Sequence, residues 1–254
     1  MRYLYRKILR RLRLHKQYKT ERIGNFLLTY EPASDIGGKL YRGEDFEKDE
    51  INIACKYINS DSVVLDIGAN IGLNALNYSI AAKEGVVISC EPQPKTFGTL
   101  ERNIIQNNIE NIIPLNIAIS NLSRISDFYV MSDDAYSSLI NTKRKELCST
   151  IKVLCTTIDG LMGKINVDFV KIDVEGLELS VLQSMCSLIQ RSHPVILCEI
   201  YKGKIDSYDP HETISYLIGM GFSVSRIING EIVEFLPGMK HEDQFYNYLF
   251  LPKS

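Results

Sequence analysis

From residue 62 onward, short runs of consecutive apolar residues alternate with longer stretches in which apolar residues recur every three or four positions. The runs predict strands over 62–67, 86–91, 112–118, 167–173, 194–200, 222–227 and 245–251. The helical spacing predicts helices over 71–83, 93–106, 177–190 and 210–220. Because strands that alternate with helices form mainly parallel sheets covered on both faces, the pattern predicts an open α/β fold.

Two regions depart from this alternation. Residues 23–61 form a lead-in to the first strand, and a polar insertion at 120–155 separates the third and fourth strands. Short elements are predicted as a strand at 26–30, a helix at 44–57, and exposed strands of a hairpin or edge ladder at 126–131 and 151–155. The last two strands of the chain are close in sequence around the Gly230 turn, which favours an antiparallel end to the sheet.

A glycine-containing turn, Asp66-Ile67-Gly68-Ala69-Asn70-Ile71-Gly72, directly follows the first predicted strand and precedes a predicted helix. A strand, a tight turn and a helix in this order form a cofactor cradle in an open sheet. Gly68 and Gly72 permit backbone conformations or close approaches that a Cβ forbids. The carboxylate of Asp66 can organise the loop and attract a cation. The spacing G-x-x-x-G differs from the dinucleotide fingerprint G-x-G-x-x-G, which disfavours NAD(P).

An acidic residue, Glu91, ends the second predicted strand and is followed by Pro92. It lies about 20 residues beyond the glycine turn, which is the distance at which such units place a ribose-binding acid. A carboxylate can accept hydrogen bonds from two adjacent ribose hydroxyls. The alternative interpretation is an acid that is simply solvated at a strand end.

A second strand–turn–helix junction contains Asp173, Glu175, Gly176 and Glu178. Open α/β sheets bind their ligands at the carboxyl ends of the strands, where Asp173 and Glu175 are predicted to lie. Three carboxylates so close together repel one another unless a positive or hydrogen-bonding group lies beside them. Lys171 is a candidate partner. For Glu175 and Glu178 the alternative role is to favour a helix start through the helix dipole. Glu199 ends the next buried strand and should lie beside Asp173.

The charge of the chain is divided unevenly. The 254 residues carry a formal net charge of −2, yet residues 1–22 contain nine basic residues and one acid. Apolar residues at four-residue steps in this segment predict a basic amphipathic helix that either docks as a solvated helix or contacts an anionic membrane surface. We therefore divide the chain into a basic segment (1–22), the lead-in (23–61) and an α/β domain (62–254). Because the remainder is acidic, nucleic acid is not expected as a partner, and the oligomeric state is left open.

Cysteine usage and hydropathy indicate the compartment. The six cysteines show no CxxC pair and no metal-ligand spacing, which favours reduced thiols in the cytoplasm. No apolar run approaches the ~20 residues of a membrane span. The amino terminus lacks the apolar region of a secretory signal. We therefore expect a cytoplasmic protein, and the alternative is a cytoplasmic protein that associates with a membrane through residues 1–22.

Several motifs together resemble the FkbM-type methyltransferases. They are Asp66–Gly72, Glu91-Pro92, Asn116-Ile117-Ala118-Ile119-Ser120, Thr157-Ile158-Asp159 and Lys171-Ile172-Asp173-Val174-Glu175-Gly176-Leu177-Glu178. Their order and spacing match from roughly residue 60 to 200, and the last motif is the most specific. The resemblance implies a Rossmann-like class I fold with seven strands in the order 3-2-1-4-5-7-6, the last of them antiparallel. It also implies O-methyl transfer from S-adenosylmethionine, often to a hydroxyl of a sugar, glycan or secondary metabolite.

The resemblance also implies roles for individual residues. The cofactor would be bound by Asp66, Gly68, Ala69, Asn70 and Gly72 at its methionine end, by Glu91 and Pro92 at its ribose, by Asn116 and Ala118 at its adenine, and by Asp173 at the reaction centre. Asp133 and Asp134 are further candidates for the adenine amino group, or are solvated loop acids.

A hydroxyl acceptor needs a base or a metal to lower its pKa. The candidate bases are Asp173, Glu199 and Glu175, and the same carboxylates suit Mg²⁺ as an alternative. Two other functions are weighed against methyl transfer: an NAD(P)-dependent oxidoreductase, and a non-catalytic cofactor-binding scaffold recruited to a membrane.

Overall fold

The computed structural model describes residues 18–201, 209–235 and 245–253. The strands are β1 (Lys19–Ile23), β2 (Phe26–Tyr30), β3 (Val63–Ile67), β4 (Val86–Cys90), β5 (Ile112–Leu115), β6 (Ala118–Ile119), β7 (Arg124–Met131), β8 (Leu147–Thr156), β9 (Phe169–Ile172), β10 (Val195–Tyr201), β11 (Phe222–Ile228), β12 (Glu231–Glu234) and β13 (Phe245–Pro252). The helices are α1 (Asp35–Tyr41), α2 (Lys48–Ala54), α3 (Leu73–Ala81), α4 (Pro94–Gln106), α5 (Ile158–Met162), α6 (Glu178–Gln183), α7 (Cys186–Ser192) and α8 (Pro210–Gly219).

The central sheet has the order β12-β11-β13-β10-β9-β3-β4-β5. β13 runs antiparallel to both of its neighbours, whereas the pairs from β10 to β5 are parallel. The implied order 3-2-1-4-5-7-6 is confirmed, but the predicted count of seven strands is one too few. The eighth strand, β12, is added at the edge because Asn229 and Gly230 adopt φ values of 50° and 78°, which suit a two-residue hairpin turn after β11.

The 120–155 insertion forms a separate three-stranded sheet of order β6-β8-β7. The predicted hairpin is confirmed by the antiparallel pairing of β7 with β8. The single strand predicted over 112–118 is wrong in its extent, because β5 ends at Leu115 and Ala118–Ile119 pairs with β8 instead. The chain thus leaves the main sheet just after β5, which places the insertion over the carboxyl ends of the strands.

The helix predicted over 177–190 is also interrupted, into α6 and α7. The carboxylate of Asp159 accepts hydrogen bonds from the backbone N–H groups of Ser187 (2.9 Å) and Leu188 (2.8 Å) in the first turn of α7. A carboxylate at this position satisfies donors that have no partner inside the helix. Asp159 therefore stabilises the start of a second helix where the sequence pattern predicts one continuous helix.

Side-chain alternation divides the core between the two faces of the sheet. Val64, Phe169 and Leu197 pack on one face with the β1–β2 hairpin, α3 and α4, and Leu65, Val170 and Ile196 pack on the other. Because side chains alternate along a strand, residues two positions further on from Val64 and Phe169 face the same side. Those residues are Asp66 and Lys171. Toward the carboxyl ends of β3 and β9, charged side chains therefore come directly after the apolar core residues on this face.

The β1–β2 hairpin docks on α4 through Asn103. The side chain of Asn103 accepts a hydrogen bond from Thr29 N (2.7 Å) and donates to Thr29 O (3.1 Å) and Ile71 O (2.8 Å). Asn103 thus pairs with the free edge of β2 as a further strand would. The basic amphipathic helix predicted in residues 1–22 is wrong at its end, because Lys19–Ile23 forms β1 and pairs with β2. Residues 1–17 of that segment lie outside the described residues. Within the ranges described, no helix has the length and apolar character to cross a membrane.

Candidate active site

A cavity of about 830 Å³ lies at the carboxyl ends of β3, β4, β9 and β10. Chain connections on the two sides of the β3–β9 pair run in opposite directions along the sheet, and such switch points are where open α/β sheets bind ligands. Segments from residues 35–50 and from the insertion complete the walls. The sequence-predicted site residues that line it are Gly68, Ala69, Asn70, Glu91, Pro92, Ala118, Asp173, Glu175 and Glu199.

Three predicted cofactor residues do not line the cavity and instead support the segments that form its wall: Asp66, Gly72 and Asn116. Asp66 is only 1% exposed. Gly72 precedes α3 with a φ of 91°, and an added Cβ would lie 2.5 Å from Leu100 Cδ1. Asn116 Nδ2 donates to the backbone oxygens of Glu91 (2.8 Å) and Pro92 (3.1 Å). The sequence motifs therefore mix residues of the cavity wall with residues that hold the wall in place.

The glycine turn after β3 fits tightly between two neighbouring strands. The N–H groups of Gly68 and Ala69 both donate to Cys90 O at the end of β4, at 2.9 and 3.0 Å. On the other side, an ideal Cβ on Gly68 would lie 1.9 Å from Asp173 O, and Gly68 has a φ of 86°. Both the conformation and the contact require glycine. The turn therefore brings backbone, rather than side chains, to the floor of the cavity.

Glu91 is held by the backbone around it. Its carboxylate accepts hydrogen bonds from Gln93 N (2.8 Å) and Asn70 N (3.1 Å). Burial raises the pKa of Glu91 to about 7, although these two hydrogen bonds favour the charged form. The residue is 7% exposed and lines the cavity, so its carboxylate is fixed in orientation at the end of β4.

Three carboxylates from separate parts of the chain converge on the opposite side of the cavity. Glu47, Asp173 and Glu199 each offer an oxygen within 4.8 Å of the others, and we call this group the carboxylate cluster. Lys171 is 1% exposed, and its Nζ lies 3.5 Å from Asp173 Oδ2. Burial opposes the positive charge of Lys171, but the surrounding carboxylates outweigh it and raise the pKa of the ammonium above its usual range.

Strand register explains this convergence. Asp66 on β3 pairs with Lys171 on β9, and Lys171 pairs with Leu197 on β10. Asp66, Lys171 and Glu199 therefore project from the same face near the strand ends. Burial raises the pKa of Asp66 to about 7 against the opposing effect of Lys171, and burial also raises the pKa of Glu199 well above its usual range.

Glu47 is the member of the cluster that sequence reasoning missed. It precedes α2 with a φ of 53°, and its Oε2 accepts a hydrogen bond from Asn74 Nδ2 at 2.7 Å. Burial raises the pKa of Glu47. The sequence predicts a helix over 44–57, but α2 begins only at Lys48, so the acidic stretch before it is a loop over the cavity. The acidic stretch before Lys48 was the sequence signal that could have identified Glu47 as a site residue.

Glu175, the third candidate base, is paired with the insertion. Its Oε2 forms an ion pair with Arg144 Nη1, whose guanidinium lies 4.4 Å from the centre of the Tyr136 ring. The Ser138 hydroxyl donates to Val174 O (3.3 Å) or Glu175 O (3.2 Å). Burial raises the pKa of Glu175 to about 8, and Arg144 opposes the shift. Because of this ion pair, Glu175 helps to hold the insertion in place and is less suited than Asp173 or Glu199 to act as the base.

The two loop acids proposed for adenine have protein partners. Asp134 lines the cavity, and its carboxylate accepts hydrogen bonds from Gln93 Nε2 (2.9 Å) and Lys95 Nζ (2.8 Å). Asp133 lies outside the lining and accepts a hydrogen bond from Asp35 N at 2.9 Å. Nearby, the wall contains a mostly apolar patch of Ile117, Ala118, Ile119 and Phe128.

Comparison with solved structures shows the fold. A methyltransferase FkbM from Methylobacillus flagellatus KT has 15% identity and a TM-score of 0.50, over 76% of this chain and 44% of that one. TYW2 from M. jannaschii in complex with AdoMet has 15% identity and a TM-score of 0.49, over 93% and 87% of the two chains. Precorrin-6y C5,15-methyltransferase from Geobacter metallireducens GS-15 has 13% identity and a TM-score of 0.48, over 80% and 87%. The chain thus spans less than half the length of the first of these structures.

Comparison with protein families gives a more specific result. No curated protein matches the sequence. The model of the methyltransferase FkbM domain matches residues 66–224, a range that begins at Asp66 and contains the glycine turn, Glu91, Asp173 and Glu199. This range is more than half of the chain and includes the end of β3 together with β4, β5, β9 and β10 of the sheet that forms the cavity floor. The chain therefore belongs to the FkbM methyltransferase domain family.

Proposed function

We propose that this protein transfers a methyl group from S-adenosylmethionine to a hydroxyl oxygen of a sugar, glycan or secondary metabolite. The observation that carries the proposal is that Glu91, the Gly68–Asn70 turn and the carboxylate cluster line one cavity. A nucleoside donor and a hydroxyl acceptor can therefore meet in a single cavity. Membership of a methyltransferase family also favours this function over the NAD(P)-dependent alternative.

The residues present fit S-adenosylmethionine. Glu91 is a buried carboxylate oriented by Asn70 N and Gln93 N, and it would accept hydrogen bonds from the ribose hydroxyls. The Gly68 turn leaves space that a Cβ would fill, so the donor can approach the backbone closely. The apolar patch of Ile117, Ala118, Ile119 and Phe128 would pack against the adenine.

The acceptor would be activated on the side of the carboxylate cluster. S-adenosylmethionine, when bound, supplies an electrophilic methyl group. Asp173 or Glu199 would accept the proton of the acceptor hydroxyl, because an unassisted hydroxyl is a poor nucleophile near neutral pH. Lys171, with its Nζ 3.5 Å from Asp173 Oδ2, orients that carboxylate. The enclosing walls contribute alignment, which supplies much of the rate of a displacement reaction.

The test uses the protein with isotopically labelled S-adenosylmethionine and an extract of its source organism. Mass spectrometry should detect a labelled product heavier than its precursor by one CH₂. At limiting donor, product formation should fall about tenfold or more with Glu91→Gln and stay at the wild-type rate with Glu110→Gln, which removes the same charge from an exposed position outside the cavity wall. Saturable donor binding without any labelled product across extracts and glycan panels would favour the non-catalytic scaffold.

Mg²⁺ stays a separate prediction. The cluster that could hold an ion consists of Glu47, Asp173 and Glu199, so Glu47 replaces Glu175 in the predicted set. Lys171 already places a positive charge beside Asp173. Treatment with a chelator followed by Mg²⁺ tests the requirement, because a metal-assisted reaction should stop and then recover. Full activity after chelation would assign acceptor activation to a carboxylate.

We also propose that the basic segment, residues 1–22, binds anionic membranes. The support is its sequence, with nine basic residues and one acid, and an attraction of about 1 kcal/mol is typical for each basic residue near such a surface. Removing residues 1–17 leaves β1 intact and should abolish sedimentation with anionic vesicles. Sedimentation equal to that of the full chain would contradict this role.

A further inference from the structure

The carboxylate cluster carries more negative charge than its surroundings balance. Asp66, 1% exposed and with no hydrogen-bond partner for Oδ2, lies on the strand beside Lys171 and adds a fourth carboxyl group. Lys171 supplies one positive charge against these four groups. Other basic residues of the cavity wall are engaged elsewhere: Lys48 with Asp45 (2.9 Å), Arg144 with Glu175, and Lys39 over the Phe46 ring (4.4 Å).

Such an imbalance is costly in a partly buried site, because each carboxylate has lost part of its water without gaining a full counter-charge. A ligand that brings a positive charge would relieve this cost. The cluster is therefore built to favour a cation over a neutral molecule of the same shape.

The sheet order indicates which part of the donor would lie there. The apolar patch of Ile117–Ile119 follows β5, Glu91 ends β4, the Gly68 turn ends β3, and Asp173 ends β9. With adenine at the patch and ribose at Glu91, the 5′ substituent of the nucleoside extends across β3 toward β9. That substituent carries the sulfonium of S-adenosylmethionine, so the positive charge would approach the carboxylate cluster.

We propose that the carboxylate cluster distinguishes the cationic methyl donor from its neutral by-product, and so promotes product release; this inference rests on the proposed function. In the reaction, the bond from sulfur to the methyl carbon breaks and its electron pair stays on sulfur. The acceptor oxygen bonds to the methyl carbon, and the hydroxyl proton passes to the carboxylate base. The sulfonium becomes a neutral thioether, so its attraction to the cluster ends when the chemistry is complete.

The test compares ligands that differ in charge at one position. Calorimetry gives the dissociation constants of S-adenosylmethionine, of S-adenosylhomocysteine, and of sinefungin, which carries an ammonium group in place of the sulfonium. One uncompensated carboxylate in a partly buried site corresponds to about a tenfold change in affinity for a cation. Wild type should therefore bind both cationic ligands at least about tenfold more tightly than S-adenosylhomocysteine.

Two variants localise the effect. Glu199→Gln and Glu47→Gln keep side-chain size and remove one carboxylate each, and either should reduce the preference for cationic ligands several-fold while S-adenosylhomocysteine binds at least as well as before. Glu110→Gln, exposed and outside the cavity wall, should leave the preference unchanged. Using two cluster variants keeps the test decisive if one of them fails to fold.

The outcomes separate the inference from the function on which it rests. If wild type binds all three ligands with equal affinity, or if neither cluster variant alters the preference, the charge discrimination is refuted while donor binding stands. If wild type binds none of the three ligands, the proposed function itself fails. A preference that falls in the cluster variants and persists in Glu110→Gln establishes the inference.

Discussion

Replacing Gly68 by alanine tests the closest approach in the candidate site. Gly68 adopts a φ of 86°, and a Cβ added there would lie 1.9 Å from Asp173 O. The same backbone connects β3 to β9, because Asp173 N donates to Ile67 O at 2.9 Å. A methyl group at position 68 would therefore push apart the two segments that form the cavity floor.

The expected destabilisation follows from three contributions. A left-handed conformation costs a non-glycine residue about 1–2 kcal/mol. A carbon–oxygen contact of 1.9 Å has to open by roughly 1 Å or more, which strains the adjoining backbone. The movement also stretches the hydrogen bond from Asp173 to Ile67, with a net value of about 1 kcal/mol. Together they predict that Gly68→Ala lowers the free energy of unfolding by about 3 kcal/mol.

Urea denaturation measures this free energy, and calorimetry with S-adenosylmethionine measures the effect on the cavity. Gly98→Ala is the matched control, because Gly98 lies in α4 with nothing within 4 Å of an added Cβ. In a helix this change should stabilise the protein by about 0.5–1 kcal/mol. If Gly68→Ala has the denaturation midpoint and donor affinity of wild type, the close approach of the turn to Asp173 is refuted.

Three further predictions concern Glu91, Asp173 and Asn103. Glu91→Gln should weaken S-adenosylmethionine binding about tenfold or more, because an amide is a poorer acceptor for ribose hydroxyls than a carboxylate. Burial raises the pKa of Glu91 to about 7. The affinity of wild type for S-adenosylmethionine should therefore decrease as the pH falls below that value, because the carboxylate is protonated. A calorimetric pH series on Glu91→Gln should lack this decrease. Asp173→Asn should lower turnover about a hundredfold or more with the urea midpoint near that of wild type, and retained turnover would place the base elsewhere. Asn103→Ala should lower the free energy of unfolding by about 2–3 kcal/mol, because Thr29 N and O lose their partners at a buried edge; an unchanged midpoint would contradict this docking role.

The sequence pattern by itself determined a mainly parallel sheet and the location of the cavity, whereas the strand order was implied by the resemblance to the FkbM-type methyltransferases. Apolar runs such as 63–67 and 169–172 have to be buried on both faces, so their place in a parallel sheet follows from composition and spacing. Glu91 and Asp173 follow such runs directly. Because parallel strands end at one edge, their convergence on one cavity was predictable from the pattern alone.

The partners of the individual site residues were decided by contacts between segments that are distant in sequence, because no local sequence pattern encodes such contacts. Asp66 is predicted to touch the cofactor, but strand register turns its side chain toward Lys171 and beneath the turn. Glu175 has the local sequence of a site acid, yet Arg144 on the insertion pairs with it. Glu47 joins the carboxylate cluster only because α2 begins later than its helical pattern predicts. Periodicity specifies which face of an element is buried, whereas the partner of a buried charge depends on which chain segments the tertiary fold brings within a few ångströms.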